Sequence, residues 1–176
     1  MLNFFELYEL PLGFHPDPAQ VKAKYYEFSR KYHPDRFANA DDAAKIESLR
    51  MSALNNDAYK TFNNPDATMA YVLKVSGLLE HDEKYSLPPA FLMAMMELNE
   101  AISEYEMEPG GSDSYKAAAT ELAEAMEAWE EEAGKLTAQY DAGDHSEALL
   151  LQIKDYYFRK KYLLRIQERI DKFATR

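Results

Sequence analysis

Apolar residues recur at helical intervals through most of this chain, and the places where the rhythm breaks mark its elements. Val21, Tyr25, Phe28 and Tyr32 repeat at spacings of four, three and four, which predicts a helix with one buried stripe ending near Tyr32. Asp17, Pro18 and Gln20 supply its start: an N-cap carboxylate, a proline in the first turn and an amide at the capping-box position. Residues 3–10 are short and rich in large apolar side chains, so a brief helix is expected there, ended by Pro11 and Gly13. Further on, Asp41 or Asp42 can cap a helix to about Phe62, with Ile46, Leu49, Ala53, Ala58, Tyr59 and Phe62 among its apolar residues. This helix should lie antiparallel to the one before it. Asn64, Pro65 and Asp66 then open a shorter helix containing Met69, Val72 and Leu73, and Gly77 stands at the expected stop.

Residues 76–88 are polar and proline-containing, and the pattern changes beyond them. Phe91, Met95, Leu98, Ile102 and Tyr105 keep four-three spacing; so do Tyr115, Ala119, Leu122, Met126, Trp129, Ala133, Leu136 and Tyr140. Leu149, Ile153, Tyr156, Leu163 and Ile170 line a third helix, which Asp144 and Glu147 would open as a capping box and which runs to about Phe173. Residues 108–113 can only be a loop. The expected fold is all-α: an antiparallel helical hairpin with short flanking helices at 1–75, a linker at 76–88, and an antiparallel three-helix bundle at 89–176.

Composition narrows the function. A chain of 176 residues with 47% hydrophobic content can hold one ordinary domain or two small ones. No apolar run is long enough to cross a bilayer and the first residues carry no basic leader, so the chain reads as cytoplasmic. Cysteine is absent, and His15, His33, His81 and His145 lack metal-type spacing; neither a metal nor a cofactor is expected. A net charge of -11 argues against nucleic acid as a partner. Within that acidic chain, Lys22, Lys24, Arg30, Lys31 and Arg36 outnumber Glu27 and Asp35 over residues 18–36. A basic patch of this kind suits steering toward a protein partner.

The sharpest break is Tyr32, His33, Pro34, Asp35, Arg36, Phe37. Pro34 lacks an N–H and biases His33 away from the α region, so the helix must stop and leave an imidazole, a pyrrolidine and a carboxylate on one short loop. One reading is that His33 and Asp35 cap a helix-to-helix turn; another is that the loop docks on a charged protein. A hydrolase built on His33 and Asp35 would need a nucleophile or metal in a pocket, and the sequence shows neither. With a basic amphipathic helix before the loop and a second amphipathic helix after it, residues 1–75 resemble the J-domain of DnaJ-type co-chaperones. Their His-Pro-Asp signature falls on His33, Pro34 and Asp35.

A second surplus of apolar surface lies in the bundle. At 100° per residue, Leu92, Met93 and Met96 fall away from the Phe91, Met95, Leu98, Ile102 stripe, with Glu97, Asn99 and Glu100 beside them. Phe158 and Tyr162 likewise point away from Leu149, Ile153 and Tyr156. These residues either pack against the first domain or widen the bundle core, or they form an adaptable protein-binding patch. Ala90, Phe91, Leu92 and Met93 with Glu97 and Leu98, after a J-like domain and a linker, resemble the C-terminal domain of the HscB family of J-type co-chaperones of iron–sulfur cluster assembly. Asn56, Asp57, Ala58, Tyr59, Pro65, Tyr71, Val72 and Leu73 are similar to that family's third and fourth helices. The resemblance spans essentially the whole chain, without the zinc-binding Cys-rich extension of some mitochondrial members. It implies an adaptor with no catalytic residue, whose partners are an IscU-type scaffold and a DnaK/HscA-type chaperone ATPase. The scaffold face would be Leu92, Met93, Met96, Glu97, Asn99, Glu100 and Phe158, and the chaperone-binding face His33, Pro34 and Asp35 with Lys22, Lys24, Arg30, Lys31 and Arg36. The alternative is a J-domain adaptor that delivers a different client.

Overall fold

The structure, a computed structural model, describes residues 2–107 and 112–174, and every regular element among them is helical. In chain order these are α1 (Phe4–Tyr8), α2 (Pro18–Lys31), a 3-10 turn (Pro34–Phe37), α3 (Asp42–Phe62), α4 (Pro65–Val75), α5 (Pro89–Met107), α6 (Ser112–Asp141) and α7 (Glu147–Ala174). They form two compact units, Met1–Leu79 with Tyr140–Gly143, and Glu80–Gln139 with Asp144–Arg176. Residues 108–111 of the expected loop, and the side chains of Ser112, Asp113, Tyr105, Tyr115 and Phe173, lie outside the described residues.

In the first unit, α1 is closed by a capping box between Asn3 and Glu6. It ends at Tyr8 rather than at Pro11, because Glu9 turns left-handed at φ 54. Asp17 caps α2 through the Ala19 N–H, but the Gln20 amide bonds to the Asp17 carboxylate at 3.0 Å, so that helix has a cap without a capping box. Polar bonds set the register of the α2–α3 hairpin. The Tyr32 carbonyl accepts from the hydroxyls of Ser48 and Ser52, both at 2.9 Å, and the Tyr25 carbonyl accepts from the Asn55 amide at 3.1 Å. Asn55 also accepts the Tyr8 hydroxyl at 2.7 Å. The end of α2 therefore faces the start of α3, as an antiparallel pair requires. The buried side of α3 is Ser48, Met51, Asn55, Ala58 and Phe62, whereas Ile46 and Leu49 are 67% and 59% exposed. Helix α4 starts at Asn64, which accepts from the N–H groups of Asp66 and Ala67. It ends in a Schellman turn: Gly77 at φ 74 donates to the Lys74 carbonyl and Leu78 donates to that of Leu73.

The second unit is held mainly by apolar stripes. Met95, Leu98 and Ile102 of α5 are buried, as are Ala118, Leu122, Trp129 and Ala133 of α6 and Leu149, Ile153, Leu163, Ile166 and Ile170 of α7. The Trp129 indole donates to the Tyr156 carbonyl at 2.7 Å. Phe91 meets Tyr162 while Ser103 meets Arg169, so α5 and α7 run parallel, with α6 antiparallel to both. Two expectations change. Ser146 rather than Asp144 starts α7, its carbonyl taking the Leu150 N–H, while the Asp144 carboxylate accepts the Ser146 N–H. Tyr140, assigned by periodicity to the bundle, groups with the first unit.

Candidate functional site

Two surfaces carry the candidate residues, one on each unit. The first is the turn after α2. His33 is extended at φ -61, ψ 129, as the following proline demands, and the turn closes with Arg36 N–H donating to the His33 carbonyl at 3.0 Å. The His33 Nδ1 accepts the Asp35 N–H at 3.3 Å. The imidazole thus caps the turn, while the Asp35 carboxylate, 3.7 Å from it, is 91% exposed. From behind, the doubly held Tyr32 carbonyl ties the turn to α3.

The five basic residues do not share one situation. Lys22 and Arg30 are exposed, with exposed Tyr26 between them on the same α2 row. The Lys31 ammonium lies over the Tyr32 ring at 5.2 Å. Arg36 folds back to donate to the Arg30 carbonyl at 3.2 Å, where the end of a helix favours a cation. Lys24 is bound to Glu9, with Glu27 at 3.7 Å, and is turned into the unit's own surface. The bond to Glu9 holds the Lys24 ammonium above its usual range and the Glu9 carboxyl below its own.

The second surface is built on α5 and α7. Met93 and Met96 are 64% and 65% exposed, Glu97 and Glu100 are exposed, and Leu92 is half-buried, all away from the Met95, Leu98, Ile102 stripe. Asn99 differs from them. Its carbonyl oxygen accepts from Arg169 and its amide donates to the Met95 carbonyl, so it clamps α5 to α7. Phe158 is half-buried, stacked flat on Tyr85 with ring centroids 4.5 Å apart and planes 4° from parallel. The Tyr85 hydroxyl donates to Asp155 at 3.1 Å, and Glu83 pairs with Lys154 at 2.5 Å. That bond keeps the Glu83 carboxyl below the usual carboxylate range. Residues 80–88 of the linker expected at 76–88 are thus strapped along α7. Between strap and helices lies a groove of about 920 Å³ lined by Tyr85, Leu87, Leu92, Phe158 and Tyr162, with Lys161 and Arg165 also on it. Leu92 and Phe158 are brought together there. Tyr85 escaped the sequence reading; the signal was its standing as the lone tyrosine in residues 78–90.

Among the described residues no cluster of His, Asp or Glu is arranged to hold a metal ion, and no helix is long and apolar enough to cross a membrane. A J-domain carrying a His-Pro-Asp turn, followed by a helical C-terminal domain, defines the class: a J-type co-chaperone. Residues 87–171 match the family described as the HSCB C-terminal oligomerisation domain. The chain is 30% identical over 171 residues to the co-chaperone protein HscB homolog of Shewanella oneidensis, covering 96% of this chain and 95% of that one. It is 35% identical over 147 residues to that of Cupriavidus taiwanensis, covering 83% and 81%. The chain belongs to the HscB co-chaperone family. Human co-chaperone protein HscB superposes with a TM-score of 0.72 at 25% identity, covering 98% of this chain and 82% of that one. Chaperone HscB from Vibrio cholerae does so at 0.69 and 22%, covering 98% of each, a likeness of fold.

Proposed function

We propose that this co-chaperone is an adaptor in iron–sulfur cluster assembly. The α5–α7 face of the bundle, residues 89–176, binds an IscU-type scaffold. The J-domain, residues 1–75, engages a DnaK/HscA-type chaperone through His33, Pro34, Asp35 and the basic face of α2, and stimulates its ATP hydrolysis. The observation that carries this reading is a pair of open surfaces of unlike chemistry in a member of the HscB family: a projecting carboxylate beside lysines and arginines, and a thioether-rich patch rimmed by Glu97 and Glu100. The chain supplies no catalytic residue, and hydrolysis is left to the partner's own groups. Tethering client and ATPase to one chain raises the concentration of each near the other.

Calorimetry with the scaffold, comparing wild type with a Leu92→Ala, Met93→Ala, Met96→Ala triple variant, tests the assignment. A folded wild-type protein that stimulates the ATPase but does not bind the scaffold would replace the scaffold with a different client.

A further inference from the structure

Phe158 cannot be placed by the bundle core. On α7 it lies on the side opposite the buried Leu149, Ile153, Leu163 and Ile170 stripe, so the packing that fixes those side chains leaves its ring unsupported. What holds it is the strap. Tyr85 stacks on one face of the ring, Tyr157 meets it edge-on with centroids 5.2 Å apart, and the Lys161 ammonium lies 5.8 Å from its centroid. Tyr85 in turn is fixed at both ends: its hydroxyl is bonded to Asp155, which Arg159 also holds at 2.5 Å, and Glu83, two residues earlier, is bound to Lys154. The Glu83 and Lys154 side chains are only 21% and 12% exposed, so this anchor is far better shielded from solvent than an ordinary surface pair. With one face stacked on Tyr85, Phe158 lines the groove together with Leu92.

We propose that Tyr85 is a positioning residue of the client-binding face, holding Phe158 in one orientation beside Leu92 so that a client meets a pre-formed groove wall. The proposal rests on the reading of that face as the scaffold site. Pre-organisation matters here because a surface phenylalanine free to rotate must be immobilised on binding, and that loss subtracts from affinity. Asp155, Arg159 and Lys154 then serve the site from outside the groove's lining.

The test is scaffold affinity by calorimetry on the full chain, with folding checked by melting of each variant. Tyr85→Ala is expected to weaken binding about tenfold, the scale of one well-placed anchor, and Tyr85→Phe, which keeps the stack but gives up the Asp155 bond, only a few-fold. Lys154→Gln, which loosens the strap from outside the groove's lining, should lose a few-fold. The decisive measurement is the double variant: if Tyr85 acts through Phe158, adding Tyr85→Ala to Phe158→Ala costs nothing further. Fully additive losses would overturn the positioning role, as would wild-type affinity in a folded Tyr85→Ala protein whose Leu92, Met93, Met96 counterpart has lost binding. Intact binding in that triple variant would instead remove the scaffold site itself.

Discussion

The two candidate surfaces are built on opposite principles. The turn after α2 concentrates its chemistry in one exposed carboxylate and stiffens it from behind with polar bonds: Ser48 and Ser52 on the Tyr32 carbonyl, and Asn55 joining α3 to Tyr25 and Tyr8. The α5 face spreads its chemistry over Leu92, Met93 and Met96 on a continuous helix whose other side is plain apolar core. A directional charge loses its value if its support tilts, whereas flexible thioethers tolerate small shifts of their backbone. The first surface should therefore fail all at once, and the second by degrees.

Asp35→Asn should have the largest effect, removing most of the ATPase stimulation while leaving Tm and scaffold binding unchanged, because the carboxylate supports no packing. Steady-state ATPase assays at matched concentrations check this, and full stimulation would sink the docking assignment. Asn55→Ala should cost about 2–3 kcal/mol in denaturant unfolding, since it removes the buried amide's bonds to the Tyr25 carbonyl and the Ser29 hydroxyl and leaves the Tyr8 hydroxyl only the Asn55 carbonyl as acceptor. Scaffold affinity measured while the protein is still folded should be unaffected. In the α5 patch, single alanines at Leu92, Met93 and Met96 should each weaken scaffold binding by roughly 1 kcal/mol, and the triple change by well over tenfold with little change in Tm. A clearly lowered Tm in the triple variant would place these residues in the core and erase the contrast. The smallest effect is kinetic. Charge reversal at Lys22, Arg30 and Lys31 should slow ATPase association several-fold, and raising salt should slow the wild type, since exposed charges are screened over ~8–10 Å. A wild-type on-rate flat from low to high salt would show that steering is absent.

Much of the fold was legible because local chemistry enforces it. Pro34 had to end α2, Asp17 and Asn64 had to cap, Gly77 had to take a left-handed stop, and the three long four-three stripes had to bury one face each. The open methionines of α5 followed from the same geometry: at 100° per residue, Met93 and Met96 cannot share a face with Met95 and Ile102. Tertiary structure decided what composition leaves undetermined. Which side of α3 is buried depends on hydrogen bonds to α1 and α2, so polar Ser48 and Asn55 lie inside while Ile46 and Leu49 stay out. Lys24 and Asn99 read as surface polar residues, but Glu9 and Arg169, distant in sequence, draw them into the protein's own framework. The strap is the clearest case. Periodicity describes a helix against itself, and nothing periodic links Tyr85 to Phe158, 73 residues apart; only the path of residues 80–88 along α7 brings the two rings face to face.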